Sequence, residues 1–368
     1  MRPLRIGVNA LYLIPGGVGG TEIYLRNLLR VLGEIDNTNE YFLFTNRETG
    51  TDLGPEPPNF HSVPQAVWAV FRPARIGWEQ TVLPLAVAAR RIDVLLNPGF
   101  TAPLLCGCPQ VTVFHDLQHK RHPDHFRWFD LPFWRVLLFW SAHLAQIVIA
   151  DSEATATDLA TYYRLPSRRV RVVPLGVDPN FFTISAARQT EPLLLSVSTL
   201  HPHKNLDRLL RAFGAFHRNR PEFRLVIAGL RGFDSANLER LRDKLGLAAA
   251  ADFTGWIPRE DLYRLYARAR AFLYPSTFEG FGLPVLEALA AGIPTACSRI
   301  EPLASTAGDA ALQFDPSDEA AMADAMERLV FDETLREALS TKGPERASRF
   351  SWHTTARLTL QALRDAAG

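Results

Sequence analysis

Short apolar runs alternate with stretches of helical period from one end of the chain to the other, and no other feature restricts the fold as much. Strands buried on both faces and separated by helices build parallel sheets from βαβ units. Runs of strand length fall at residues 4–9, 41–45, 94–97, 110–114 and 146–150, and again at 193–199, 224–228, 251–253, 271–274 and 294–296. Helical patterns lie between them, at 21–32, 153–163, 206–218, 235–245, 258–268, 284–291 and 318–331. With 368 residues the chain has material for two or three domains. The runs divide into two similar halves, and 170–192 holds no clear period, so the boundary is placed at 178–189. The prediction is an α/β protein of two doubly wound, Rossmann-like domains, residues 1–180 and 190–349. Ligands of such sheets sit beyond the carboxyl ends of strands, and two such domains facing one another make an interdomain cleft, so chemistry is sought just after strands.

Charge removes one class of function. There are 40 Lys and Arg against 39 Asp and Glu, which gives no basic excess for gripping nucleic acid. Three cysteines cannot close a disulfide framework, and Cys106-Gly-Cys108 lacks the second pair or the spaced histidines of a zinc site, so a reducing, cytoplasmic setting is expected. The N-terminal apolar run is too brief for a signal-peptide core. Residues 129–150 are interrupted by Asp130, Pro132, Arg135, Ser141 and His143, so this stretch can touch a membrane but not cross it.

Four loops carry the candidate chemistry. Gly16-Gly-Val-Gly-Gly follows the first strand and opens a helix, where glycines admit a ligand close to the backbone and free N–H groups face an anion. It is not a dinucleotide fingerprint, because Glu22 holds the place of the third glycine. His115-Asp-Leu ends a buried strand; its imidazole can accept or donate a proton, while an isolated strand-end histidine is equally a structural one. The spacing of His119, His122 and His125 matches no zinc pattern, and no metal is assigned. Pro202-His-Lys-Asn205 puts Lys204 at a helix start, a combination that suits a phosphate, and lysine occurs only four times in the chain. The most specific is the run from Ser276 through Glu279, Gly280, Phe281, Gly282, Leu283 and Pro284 to Glu287 and Gly292. Pro284 suits a first helical turn, so Phe281, Gly282 and Leu283 offer backbone N–H groups at a helix start, an anion site needing no basic side chain. Glu279 and Glu287 flank it and can accept hydrogen bonds from sugar hydroxyls.

With these residues in view the chain resembles the retaining glycosyltransferases of family four. Glu279 to Glu287 matches their E-x7-E motif, and the likeness runs through the glycine loop, His115-Asp-Leu, Ala150-Asp-Ser-Glu, Val173-Pro-Leu-Gly-Val-Asp178, Pro202-His-Lys-Asn205 and Phe350-Ser-Trp352. The resemblance implies the GT-B fold, with a C-terminal helix (350–368) crossing back to the first domain. It implies that Lys204 binds the diphosphate of a nucleotide-sugar donor, Glu279 the sugar's hydroxyls and Glu287 the ribose. Gly280, Phe281, Gly282 and Leu283 would bind through their backbone; Gly17 and Gly19 would meet donor phosphate or acceptor, and His115 would lie beside the reacting centre. His203 stands where many relatives carry Arg, so Arg231 or the helix dipole would have to supply the missing charge. Transfer with retention is implied, with neither a metal nor another cofactor.

Pro202-His-Lys-Asn205, Trp78-Glu-Gln80 and Leu83-Pro84 look most like mannosyltransferase-type members that build bacterial polysaccharide, which favours GDP-mannose as donor and a glycan or lipid-linked acceptor. Arg72, Arg75, Trp78, Trp128, Phe133, Trp134 and Trp140 either serve such an acceptor at the inner membrane face or belong to the core. Replacing Lys204 or Glu279 is expected to cost activity with little change in melting temperature. The rival readings are a nucleotide-sugar epimerase, disfavoured by the full E-x7-E run, and a noncatalytic binding module, disfavoured because both carboxylates are kept.

Overall fold

A computed structural model describes every residue except 1, 18, 54–56, 126–130 and 186–189. Trp128 and the end of the expected boundary segment therefore lie outside the described residues. The chain divides into two compact units, Met1–Gly176 with Trp352–Gly368, and Val177–Ser351.

The first unit is built on seven parallel strands: β1 (Arg5–Asn9), β2 (Glu40–Thr45), β3 (Phe60–Pro64), β4 (Val94–Asn97), β5 (Gln110–Phe114), β6 (Ile147–Ala150) and β7 (Val170–Val172), in the order β3-β2-β1-β4-β5-β6-β7. The central strands β4, β5 and β6 are buried at every position, the pattern of a sheet covered on both faces. The sequence reading missed the two edges, and the reason is the same for both. β3 ends in Pro64 and β7 is only three residues long and half-exposed, so neither shows a continuous apolar run. It also missed the helix Arg72–Ala89, which tolerates Pro73 in its first turn but carries Pro84 inside. The last helix, Trp352–Ala367, belongs to this unit; it packs along Gly20–Ile35, with Trp352 buried near Tyr24, and Thr355 Oγ1 donates to the Pro174 carbonyl at 2.7 Å.

The second unit has six parallel strands: β8 (Leu193–Val197), β9 (Arg224–Ala228), β10 (Ala251–Gly255), β11 (Ala271–Tyr274), β12 (Thr295–Ser298) and β13 (Leu312–Phe314), in the order β10-β9-β8-β11-β12-β13. Helices Leu206–Asn219 and Glu319–Phe331 cover one face, where Leu209, Phe213, Leu225, Leu273, Met326 and Leu329 form a single core. Each such side chain contributes about 1.5–3 kcal/mol by leaving water. Helix Leu283–Ala290 lies close to helix Glu333–Ala347 at Gly343, where a Cβ would come within 2.8 Å of the Leu289 carbonyl.

Both sheets reverse their strand order once, between β1 and β4 and between β8 and β11. The crevice beyond the carboxyl ends at such a reversal is where doubly wound sheets take ligands.

Candidate active site

In the second unit, two loops leave the sheet at this reversal, one after β8 and one after β11. They are stapled together. Asn205, left-handed at φ 56°, donates from Nδ2 to the Pro275 carbonyl at 2.9 Å and the Pro316 carbonyl at 2.8 Å. Thr277 donates to the His203 carbonyl from its backbone N–H at 2.8 Å and its hydroxyl at 3.1 Å. This registration brings Lys204 Nζ within 2.6 Å of Glu279 Oε1 and 3.2 Å of the Tyr274 hydroxyl. The Lys204 and Glu279 side chains are 12% and 10% exposed. Burial by itself would lower the lysine, but Glu279 and Tyr274 outweigh it and hold the ammonium above the usual lysine range. Burial, with Glu279 adding to it, pushes the Tyr274 phenol up.

The E-x7-E loop then turns into helix Leu283–Ala290. Gly282 sits at φ +95°, and a Cβ there would approach Leu303 Cδ2 to 2.3 Å, so both conformation and space require glycine. The N–H groups of Val285 and Leu286 are both taken by the Gly282 carbonyl, at 3.0 and 3.3 Å, and Pro284 has none. Among the described residues no acceptor takes the N–H of Gly282 or Leu283, which leaves a positive helix end able to accept an anion beside a fixed cation.

Glu287, the second carboxylate of the motif, is engaged within the protein. It points inward, 4% exposed, with Oε1 accepting from Arg259 at 3.2 Å and Oε2 from the Tyr266 hydroxyl at 3.1 Å. Arg259 also reaches Asp178 Oδ2 at 3.2 Å and the Tyr263 hydroxyl at 3.2 Å, and Tyr263 donates to the same Asp178 oxygen. Burial raises the Glu287 carboxyl above its ordinary range, while Arg259 and Tyr266 hold the rise in check. Arg259 was missed by the sequence reading, although a signal was there: a glutamate inside an otherwise apolar helix demands a buried partner. Arg231, proposed to supply missing charge, pairs with Glu239 at 2.6 Å and is 65% exposed.

In the first unit, His115 follows β5. Its Nδ1 lies 2.6 Å from Asp151 Oδ2 and its Nε2 lies 3.0 Å from the Pro98 carbonyl. Both neighbours are hydrogen-bond acceptors, an arrangement that favours the doubly protonated ring. Burial opposes this, but Asp151 prevails and the histidine lies above its usual range. The sequence offered an imidazole able to accept or donate a proton; in this arrangement both of its nitrogens face hydrogen-bond acceptors. His119 is a structural histidine on the Tyr163 hydroxyl at 2.6 Å, pushed down to about 4 by burial with help from Lys120 and Arg135.

Of the glycine loop, Val18 lies outside the described residues. Gly19 starts helix Gly20–Ile35 at φ 61°, Gly17 N–H bonds the Ile14 carbonyl, and Glu22 reaches back to the Gly16 N–H at 2.8 Å while holding Arg26. A buried chain missed by the sequence reading underlies it: Asn9 bonds Glu79 and Asn97 at 3.1 Å, Asn97 bonds Gln110 at 3.0 Å, and Thr101 bonds Glu79 at 2.9 Å. Of the aromatic and basic residues proposed for an acceptor, Arg75 is buried beside Glu79 and Trp78 packs on the core while donating to Gln65. Arg72 is exposed over the Trp134 ring, and Phe133 and Trp140 are exposed.

Two Rossmann-like parallel sheets, the second carrying a cation, a carboxylate and an open helix end at its switch point, are the frame of the GT-B glycosyltransferases. Comparison with known proteins agrees. Residues 18–181 match the family described as Glycosyltransferase Family 4, and residues 177–346 match Glycosyl transferases group 1. Together the two matches cover residues 18–346, and the chain belongs to this glycosyltransferase family. It is similar to O-antigen chain mannosyltransferase B of Escherichia coli, 29% identical over 69% of this chain and 70% of that protein. It is also similar to D-inositol 3-phosphate glycosyltransferase of Corynebacterium jeikeium, 26% identical over 96% and 94% of the two chains. In fold it resembles the sucrose-phosphate synthase of Thermosynechococcus elongatus, with a TM-score of 0.80 at 20% identity over 98% of both chains. It likewise resembles Anabaena HepE, solved in complex with UDP and glucose, with a TM-score of 0.76 at 19% identity over 98% of this chain and all of that one.

Proposed function

We propose that this glycosyltransferase moves a hexose, with mannose favoured, from a nucleoside-diphosphate sugar to a hydroxyl of a glycan or lipid-linked acceptor, with retention and without a metal ion. The observation that carries the reading is the Lys204–Glu279 pair beside the open N-terminus of helix Leu283–Ala290. A diphosphate competes with Glu279 for Lys204 and receives the N–H groups of Gly282 and Leu283. Glu279, released from the lysine, accepts hydrogen bonds from the sugar's hydroxyls. As the sugar–phosphate bond breaks, the charge growing on the leaving group meets a cation and a helix end already in place. With no protein nucleophile nominated, the acceptor hydroxyl attacks on the leaving-group face and its proton passes to the departing phosphate. Glu287 sets the helix through Arg259 and Tyr266 and meets the ribose only where Arg259 yields.

The likeness to an O-antigen chain mannosyltransferase supports mannose, and hence GDP-mannose, as the first donor to test. Peripheral contact with the inner face of a membrane belongs to the same reading. Helix Leu131–Leu144 exposes Phe133, Val136, Trp140 and Leu144 on one face, beside a pocket of about 570 Å³ lined by Arg72, Ile76, Leu104, Phe133, Trp134 and Leu137. Among the described residues no helix is long and apolar enough to cross a membrane.

The test is thermal-shift screening of GDP, UDP, ADP and their sugar conjugates, with and without EDTA. Stabilisation by the GDP series alone, unchanged by EDTA, is the expected result. Stabilisation by another base, or only with a divalent ion, would overturn the donor or the metal-free mechanism.

A further inference from the structure

The segment joining β4 to β5 carries Cys106-Gly-Cys108, which neither the fold nor the transfer chemistry requires. Both thiols are half-buried against the cluster of Val63, Leu83, Val87 and Leu95, while Leu105, Gly107 and Pro109 face solvent. The two Sγ atoms lie 3.6 Å apart in an S–H···S contact. The segment is clamped on either side of them. Gln80 donates to the Ala102 carbonyl at 3.0 Å and accepts from the Leu104 N–H at 2.9 Å, Gln110 Nε2 donates to the Pro103 carbonyl at 2.9 Å, and the Pro109 carbonyl accepts from the Leu95 N–H at 3.0 Å. Fixed ends keep the sulfurs facing each other, and Gly107 lets the chain bend between them.

We propose that Cys106 and Cys108 form a redox-active dithiol that closes to an intramolecular disulfide by exchange with a low-molecular-weight disulfide such as oxidised glutathione. The Cys106 thiolate attacks one glutathione sulfur, forming a mixed disulfide and expelling one glutathione thiolate. Cys108 then attacks the Cys106 sulfur, forming the Cys106–Cys108 bond and expelling the second glutathione thiolate. The protons of the two thiols leave with the two glutathiones, and the dithiol is oxidised as the glutathione disulfide is reduced. The contact between the sulfurs favours one thiolate in the pair: it holds Cys106 below its usual range and, with burial, pushes Cys108 up. The ring formed, with one residue between its cysteines, is strained, which makes such a disulfide oxidising and easily reopened. Cys297 is buried in β12 with its thiol pushed up to about 12 and takes no part. Leu104, on the same segment, lines the pocket beside helix Leu131–Leu144.

The test needs no glycosyl substrate and so stands or falls apart from the donor reading. The full chain is equilibrated in glutathione buffers of graded redox ratio, quenched, denatured, alkylated and analysed by peptide mass spectrometry. Expected is the joint loss of two alkylation sites and a peptide linked internally between Cys106 and Cys108, reversed by excess reduced glutathione. Cys108→Ser should leave glutathione trapped on Cys106, and Cys106→Ser should slow adduct formation at Cys108. Wild-type protein that keeps all three cysteines alkylatable under oxidised glutathione, or gains unlinked glutathione on both sites, would overturn the proposal.

Discussion

Lys204 Nζ and Glu279 Oε1 lie 2.6 Å apart with both side chains about nine-tenths enclosed, so each is the other's charge partner as well as a group the donor has to engage. Removing one partner leaves an uncompensated charge in a poorly hydrated place, at a cost of about 3 kcal/mol. Lys204→Met and Glu279→Gln should therefore each lower stability measurably as well as cut transfer by about tenfold or more. The sequence by itself led to the expectation of a nearly unchanged melting temperature; the enclosure of the pair leads to the opposite one. In a double-mutant cycle by urea denaturation, the combined variant should lose less than the sum of the two single losses. Strict additivity would show that the two side chains do not stabilise one another.

Arg259 faces Glu287, Asp178 and Tyr263 at once, and Tyr266 completes the setting of Glu287. Arg259→Met should let burial raise the Glu287 carboxyl further. A carboxyl raised above its unfolded value contributes stability that is fully present below about pH 4.3 and is lost as pH climbs through the folded value. The variant's deficit should therefore be small near pH 5 and larger near pH 8. Chemical denaturation of both proteins at the two pH values measures it; equal deficits would mean that Glu287 does not depend on Arg259 for its charge.

How much of this was legible in the sequence depends on what kind of signal each part leaves. Buried central strands such as β5 and β11 show as apolar runs because a covered parallel sheet needs nothing else. The edges β3, β7 and β13 and the helix Glu333–Ala347, with Gly343 and Pro344 inside it, leave no such trace. The loop with Lys204, Glu279 and Gly282 was readable because glycine, proline and charge stand in a fixed order there. What pairs with what was not readable: Arg259 is 28 residues from Glu287, Asp151 is 36 from His115, and Asn205 stitches loops 70 and 111 residues away. Such partners are set by sheet order and are invisible to local pattern.

Gly282→Ala isolates the geometry of the anion site from its charge. The new methyl meets Leu303, and φ +95° is unfavourable for any side chain, at about 1–3 kcal/mol. Loss of nucleotide-induced stabilisation is expected even though Lys204 and Glu279 remain. Adding Leu303→Ala should relieve the clash but not the backbone strain, so recovery should be partial. Full recovery in the nucleotide thermal shift would locate the whole effect in the clash.

His115 gives a pH signature that belongs to the first unit. Its folded value lies above the unfolded one, near 6.5, because Asp151 and the Pro98 carbonyl both require a donor. Stability from this group is complete below about pH 6.5 and declines as pH rises through the folded value, since the native state then holds a proton the unfolded chain has released. His115→Gln cannot carry that charge, and it leaves Asp151 buried and unmatched. The difference in melting temperature between wild type and variant should be largest in mildly acidic buffer and shrink toward pH 9. A difference independent of pH would show that the ring is neutral in the folded protein, and His115 would regain the capacity to accept a proton that its two acceptor neighbours deny it.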